Sequence, residues 1–208
     1  MSEHVSRAGV LAIYVCSFLV GCVLMGFEML GSRYLNPYFG SGIGAWASLI
    51  STVLCALAIG YFAGSAIVDR QPTTRTIGTM ILIAAAYMAL VPATADAVMA
   101  DILDTIGDGP MATLMAATAL LLVPLTLLGT FSPIAVSLLT RSADEAGRVA
   151  GLVYGVSTIG NVVGTLVTTF SLIPTIGSRA ITYYFAVVLA GCAAILFVPF
   201  GKKTPDVH

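Results

Sequence analysis

Charge is scarce in this sequence. Of 208 residues only 9% are Asp, Glu, Lys or Arg, against about 25% in a soluble domain. That excludes a soluble enzyme and a disordered chain. Nine Lys and Arg stand against ten Asp and Glu, for a net charge of -1. No basic stripe exists to neutralise phosphates, so no nucleic-acid partner is expected. The two histidines, His4 and His208, lie near the ends, which leaves no internal imidazole for base catalysis or metal ligation. No Ser-His-Asp or Cys-His set can be assembled, so no catalytic residues and no cofactor are expected. Ile106-Gly107-Asp108-Gly109 has the look of a nucleotide-binding turn but follows no strand. Cys16, Cys22, Cys55 and Cys192 all fall within apolar runs, where they serve as small hydrophobes rather than as a disulfide frame or zinc site. Alternation of apolar and polar residues, the mark of membrane strands, does not recur.

What the chain has is apolar length. It is 58% hydrophobic with a mean hydropathy of +1.00. A bilayer core about 30 Å thick needs roughly 20 apolar residues of helix. Six stretches qualify: 8–31, 44–68, 76–95, 110–139, 149–173 and 180–200. They predict an all-α, polytopic membrane protein with one transmembrane domain of six helices. Asn36-Pro37 with Gly40, Gly42 and Gly44 ends the first, and Asp69-Arg70-Gln71-Pro72 ends the second. Gly107 to Pro110 precedes the fourth, with proline well placed at a helix start. Pro174, Gly177 and Ser178 separate the last two. Pro124 and Pro133 lie inside the fourth and predict kinks there. The first run follows Arg7 but is too long for a secretory signal, so it reads as a retained helix. Residues 96–108 put Val98, Met99, Ile102, Leu103 and Ile106 on one side and Asp101, Asp104 and Asp108 on the other. That pattern predicts a short amphipathic helix lying on the outer membrane surface.

Six spans put both termini on one side. Arg7, Arg70, Arg75, Arg141, Arg148, Lys202 and Lys203 fall on that side, and only Arg33 and Arg179 on the other. The excess of positive charge places both termini in the cytoplasm of a cell-membrane protein.

Ionisable groups within spans are functional candidates. Among the acids Glu28 alone qualifies, roughly 30 Å along the first helix. It reads either as a cation-binding carboxylate or as a structural partner of Arg33, brought to it by a bend at Gly31. In the fifth span Tyr154, Ser157, Thr158, Asn161 and Thr165 follow three- and four-residue steps and share a face. In hydrocarbon that face must turn inward, to bond other helices or to line a wet cavity. The pairs Gly60/Gly64, Gly151/Gly155 and Gly160/Gly164 mark packing faces, inside the bundle or between subunits.

Two stretches together carry a family resemblance. One is Gly26-Phe-Glu28-Met-Leu-Gly-Ser-Arg33-Tyr-Leu-Asn-Pro37-Tyr38-Phe39-Gly40-Ser41, continuing to Gly60-Tyr-Phe-Ala-Gly64 and Asp69-Arg70. The other runs from Gly151 through Tyr154, Thr158, Gly160 and Gly164 to Leu172-Ile-Pro174-Thr-Ile-Gly177. The chain resembles the membrane domain of the fused major facilitator/spermidine-synthase-like proteins. That resemblance implies a bundle like half of a major facilitator transporter. In the family this part is often joined to a soluble aminopropyltransferase-like domain, which is expected to be missing here, because the sequence stops soon after the sixth span. Gly64 to Arg75 is also similar to the Gly-x3-Asp-Arg-x-Gly-Arg turn of that superfamily, with a gap one residue longer and the second glycine absent. The likeness implies a gating role for Asp69, Arg70 and Arg75 at the cytoplasmic turn.

Two readings of function follow. The first is a transporter-like module in the lipid bilayer, paired as a homodimer and handling a small solute, a cationic one where Glu28 supplies the carboxylate. Its binding residues would be Glu28, Arg33, Tyr154, Ser157, Thr158 and Asn161. The second is a non-transporting anchor for a separate protein subunit, such as an aminopropyltransferase- or methyltransferase-like protein. An enzyme acting alone in the bilayer is the least supported reading.

Overall fold

Once an apolar run leaves water, its backbone N–H and C=O groups must bond within the run, and the helix does this residue by residue. The computed structural model describes residues 6–70 and 73–198, and six helices in it are long and apolar enough to cross a membrane. They are α1 (Arg7–Phe39), α2 (Ile43–Val68), α3 (Thr74–Ile106), α4 (Pro110–Leu139), α5 (Ala143–Thr175) and α6 (Ser178–Phe197). Lys202, Lys203, His4, His208, Gln71 and Pro72, and the expected end of the sixth span at residue 200, lie outside the described residues.

Local chemistry sets the ends. Ser6 caps α1 by accepting from the Gly9 N–H at 3.2 Å. Thr73 and Thr76 form a reciprocal capping box at the start of α3. Asp144 and Glu145 occupy the first turn of α5, where the helix dipole favours negative charge. Gly40 (φ 72°) and Gly107 (φ 95°) stop α1 and α3 in backbone conformations that side-chain-bearing residues avoid.

Several helices differ from the sequence expectation. Asn36-Pro37 does not end α1. Pro37 sits in its last turn, where few further bonds depend on its missing N–H, and the helix runs on to Phe39. Residues 96–106 are no separate surface helix but the continuation of α3 through Pro92. Met99 is buried there and Ile102 and Leu103 are half-buried, so part of the apolar side of this segment packs on the bundle, while Val98 and Ile106 stay exposed. In α4 the helix runs unbroken through Pro124 and is interrupted at Thr130, between segments Pro110–Gly129 and Phe131–Leu139. Pro133 cannot donate to the Gly129 carbonyl, and the turn loosens there. α5 begins at Ala143, six residues before the apolar run, with Asp144 and Glu145 in a first turn that the helix dipole favours. Near its end residues Thr168–Leu172 form a π-helical turn. Pro174 follows two residues later with no N–H to give, and the extra residue shifts the bonding pattern ahead of it.

α1 packs along α5, α2 along α4, and α3 along α6. α3 also meets α4, as α6 meets α1. Exchanging α1, α2 and α3 for α4, α5 and α6 maps this set of neighbours onto itself. The equivalence holds residue by residue. A Cβ at Gly60 would fall 2.5 Å from the Thr126 carbonyl, and one at Gly64 2.9 Å from that of Thr130. A Cβ at Gly160 would fall 2.2 Å from the Phe18 carbonyl, and one at Gly164 2.1 Å from that of Cys22. Gly129 closes on Leu57 and Gly60 as Gly21 closes on Ser157 and Asn161. Successive helices alternate in direction, so α1 and α4 run oppositely, and the chain is an inverted repeat of two three-helix units.

Gly151 and Gly155 behave differently from the other two pairs: nothing lies within 4 Å of a Cβ at either. Gly164→Ala is therefore expected to lower the thermal unfolding midpoint in detergent, by a cost of about 1–3 kcal/mol from backbone displacement. Gly155→Ala is expected to leave the midpoint unchanged or raise it. Equal midpoints for the two variants would contradict the α1–α5 contact.

Candidate functional site

The α1–α5 seam concentrates the polar side chains of the bundle. Ser17 is buried and donates to the Val153 carbonyl at 3.1 Å, a bond between the two helices. Further along, Asn161 packs beside Gly21, and its Oδ1 is buried without a hydrogen-bond partner. Thr165 spends its hydroxyl on the Asn161 carbonyl of its own helix at 2.9 Å. Thr168, on the π-helical turn, is buried and brings its Oγ1 to within 2.7 Å of where a Gly26 Cβ would stand. The close approach of the helices depends on glycine, so the same residues that hold the seam together expose its polar atoms to each other.

Glu28 belongs to this seam. It is 7% exposed and, among the described residues, has neither a hydrogen-bond nor an ion-pair partner. It stands seven residues beyond Gly21, close to two full turns, and so on the side of α1 that meets α5. The bend at Gly31 does not occur, because α1 is continuous through it, and no ion pair joins Glu28 to Arg33. Arg33 is exposed and lines a cleft of about 340 Å³ with Ser32, Asn36, Ser41, Trp46 and Thr169. Two further buried hydroxyl oxygens lack partners, those of Thr52 on α2 and Thr169 on α5. Thr52 stands one turn after Ser48 on the same buried face of α2 and directly after Ser51, a polar pattern the sequence reading passed over. The π-helical turn that carries Thr168 and Thr169 had one sequence signal, Pro174 closely following a pair of threonines.

The stripe of polar residues on α5 is divided by the packing. Ser157, Asn161 and Thr165 are half-buried at the seam. Thr158 and Tyr154 lie beyond it and are exposed, Tyr154 by 40%. Val153, Gly160 and Gly164 take the closest approach to α1 instead. Tyr154 meets Tyr61 of α2 edge to face, with ring centroids 6.3 Å apart. Asp69, Arg70 and Arg75 are exposed at the turn between α2 and α3 and form no ion pair with one another. They are not brought near Glu28 or Asn161, which lie several turns along the helices.

At the end of the bundle that carries Arg33, two bonds missed by sequence reasoning close α3 and α6 against α1. Tyr34 and Thr182 share a hydrogen bond of 2.9 Å in a buried setting. Arg179 pairs with Asp96, and both side chains are more than half exposed. An exposed pair of this kind adds little stability, so Tyr34–Thr182 is the stronger tie.

No protein-family profile, curated protein or solved structure matches the chain.

Two substitutions separate the bonded hydroxyls from the unpartnered one. Tyr34→Phe is expected to cost about 1 kcal/mol by leaving Thr182 short of its partner. Thr52→Val removes a desolvated hydroxyl that gains nothing in the folded chain. It is expected to be neutral or stabilising by up to about 1 kcal/mol. Thermal unfolding in detergent reads both. A clear loss of stability in Thr52→Val would show that its hydroxyl is bonded after all.

Proposed function

We propose that the chain is a cell-membrane, transporter-like module that handles a small cationic solute, with Glu28 as the binding carboxylate. The observation that carries this reading is Glu28 itself, buried in an apolar bundle without a partner among the described residues. A buried carboxyl is costly when its charge is uncompensated, and an intramembrane acid without a partner most often serves an ion or proton pathway. Asn161 supports it with an Oδ1 that has no hydrogen-bond partner among the described residues, and Ser157, half-buried at the same seam, lies one turn before it. Inverted three-helix repeats are a common architecture of secondary transporters, and substrate sites lie near the repeat interfaces. The resemblance to the membrane domain of the fused major facilitator/spermidine-synthase-like proteins points the same way. The arginines at the turns place both termini in the cytoplasm, with Asp69, Arg70 and Arg75 in the gating turn.

A lone six-helix unit needs a partner for alternating access, most simply a second copy. The least buried helix, α5, leaves Leu152, Ile159, Val162, Leu166 and Phe170 exposed. That face equally favours the second reading, an anchor whose separate protein subunit covers it.

Uptake of radiolabelled amines, amino acids and nucleosides into proteoliposomes tests the first reading. Saturable uptake of an amine is expected, reduced by roughly tenfold or more in Glu28→Gln, because hydrogen bonds to a charged group are among the strongest available. No uptake across the three classes contradicts it, and a stoichiometric second polypeptide in a mild-detergent pull-down would then favour the anchor.

A further inference from the structure

The cleft around Arg33 lies past Glu28 toward the end of α1, its lining beginning at Met29 and Ser32, and the charged side chain in its lining is a cation. Its walls come from the last turns of α1, the first turns of α2 and the π-helical end of α5. Arg33 is the cation of the cleft and, among the described residues, has no acidic partner. Of the acids toward the same end of α3, Asp96 is taken by Arg179, and Asp101 and Asp104 form no ion pair with Arg33 among the described residues. Asn36 and Ser41 add neutral hydrogen-bonding groups to the lining. The Thr169 hydroxyl oxygen is buried in the wall with no partner. The start of α2 borders the cleft without a side-chain cap, and the Ala45 and Trp46 N–H groups both turn to the Gly42 carbonyl. The N–H groups of Ile43 and Gly44 are without a bond among the described residues. A Cβ at Gly40, Gly42 or Gly44 would meet nothing within 4 Å, so the approach is open.

Height along the helix narrows the occupant. Arg33 lies 26 residues past Arg7 on one continuous helix, a rise of about 39 Å. That exceeds a hydrocarbon core of about 30 Å and matches the distance to the far headgroup layer. Trp46 lines the same cleft, at the level where amphipathic aromatic rings gather. The fork of donors on an arginine matches the oxygens of a phosphate.

We propose that this cleft binds a phosphate group, through Arg33 with Asn36, Ser41 and the open start of α2, and with Trp46 against the remainder of the ligand. The shared chemistry is a phosphate anion, carried by a lipid headgroup or free in solution. The proposal does not rest on the solute reading of Glu28.

Trp46 is the only tryptophan in the chain, so its emission reports on the cleft directly. The full chain in neutral maltoside micelles would be titrated with dioctanoyl phosphatidylglycerol, with inorganic phosphate, and with dioctanoylglycerol, which lacks the phosphate. Each probe would also be followed as a retained adduct in native mass spectrometry. A saturable response to a phosphate-bearing probe is expected, with none to dioctanoylglycerol. A response to the lipid alone assigns the source as a headgroup, and a response to inorganic phosphate as well assigns a free anion. Arg33→Gln should weaken the binding by roughly tenfold or more, and Arg33→Lys by less. Arg33 is exposed and unpaired, so both variants should fold, as gel filtration would verify. Neither emission change nor adduct with either phosphate probe overturns the proposal. So does an equal response to dioctanoylglycerol, or an affinity unchanged in Arg33→Gln.

Discussion

The bundle depends on backbone touching backbone at two glycine seams. In hydrocarbon, helices gain little by hiding apolar surface from one another, because lipid tails are as apolar as leucine. What remains is dispersion, which grows steeply as axes approach, and only glycine permits carbonyls of a neighbour to sit where a Cβ would be. Gly160 and Gly164 do this for Phe18 and Cys22, and Gly60 and Gly64 do it for Thr126 and Thr130. The remaining contacts follow from these two. With α1 fixed on α5 and α2 on α4, the short turns leave α3 and α6 to close on each other and on α4 and α1.

The two seams share geometry but not chemistry. Position for position, Leu57 on α2 stands where Ser157 stands on α5, and Tyr61 where Asn161 stands. The same register sets Leu125 of α4 against Ser17 of α1. One seam is thus mainly apolar at these positions. The other keeps the cohesion and adds acceptors that the chain leaves unsatisfied. A buried polar atom without a partner lowers stability. Both copies hold one, Thr52 on α2 and Asn161 and Thr169 on α5, but among the described residues only the α1–α5 side adds a hydrogen bond between its helices, from Ser17 to Val153, and a polar stripe at the seam. Glu28 lies on that side.

Much of this was legible in the sequence, and the limits of reading have physical causes. Six apolar runs gave six helices, since run length measures what a bilayer demands of a backbone. Two of three glycine pairs were packing faces. Gly151/Gly155 meets no helix of its own chain among the described residues, and spacing alone cannot say where the neighbour is. Helix ends differ from the sequence reading at Pro37, where α1 runs two residues further, and in the segment 96–108, where residues up to Ile106 continue α3. Proline ends a helix only when the carbonyls before it need its N–H, and a polar exposed side does not break a helix whose other side stays buried. The inverted repeat is faint in sequence. Its shared residues are chiefly the glycines and a few apolar neighbours, which only a register fixed by contact can align. Glu28 and Asn161 were found by residue type, whereas the partnerless Thr52 and Thr169 hydroxyls depend on which neighbours surround them.

Cysteine cross-linking in native membranes tests the repeat most directly. In a background with Cys16, Cys22, Cys55 and Cys192 replaced, one variant carries Ser17→Cys with Val153→Cys, a pair whose contact is seen as a hydrogen bond. The second carries Leu125→Cys with Val53→Cys, the pair that the repeat makes equivalent. A membrane-permeant oxidant such as iodine should link both pairs within one chain, and should not link Val53→Cys to Val153→Cys. Linkage of the first pair alone, or of the mixed pair, would contradict two equivalent seams and with them the inverted repeat.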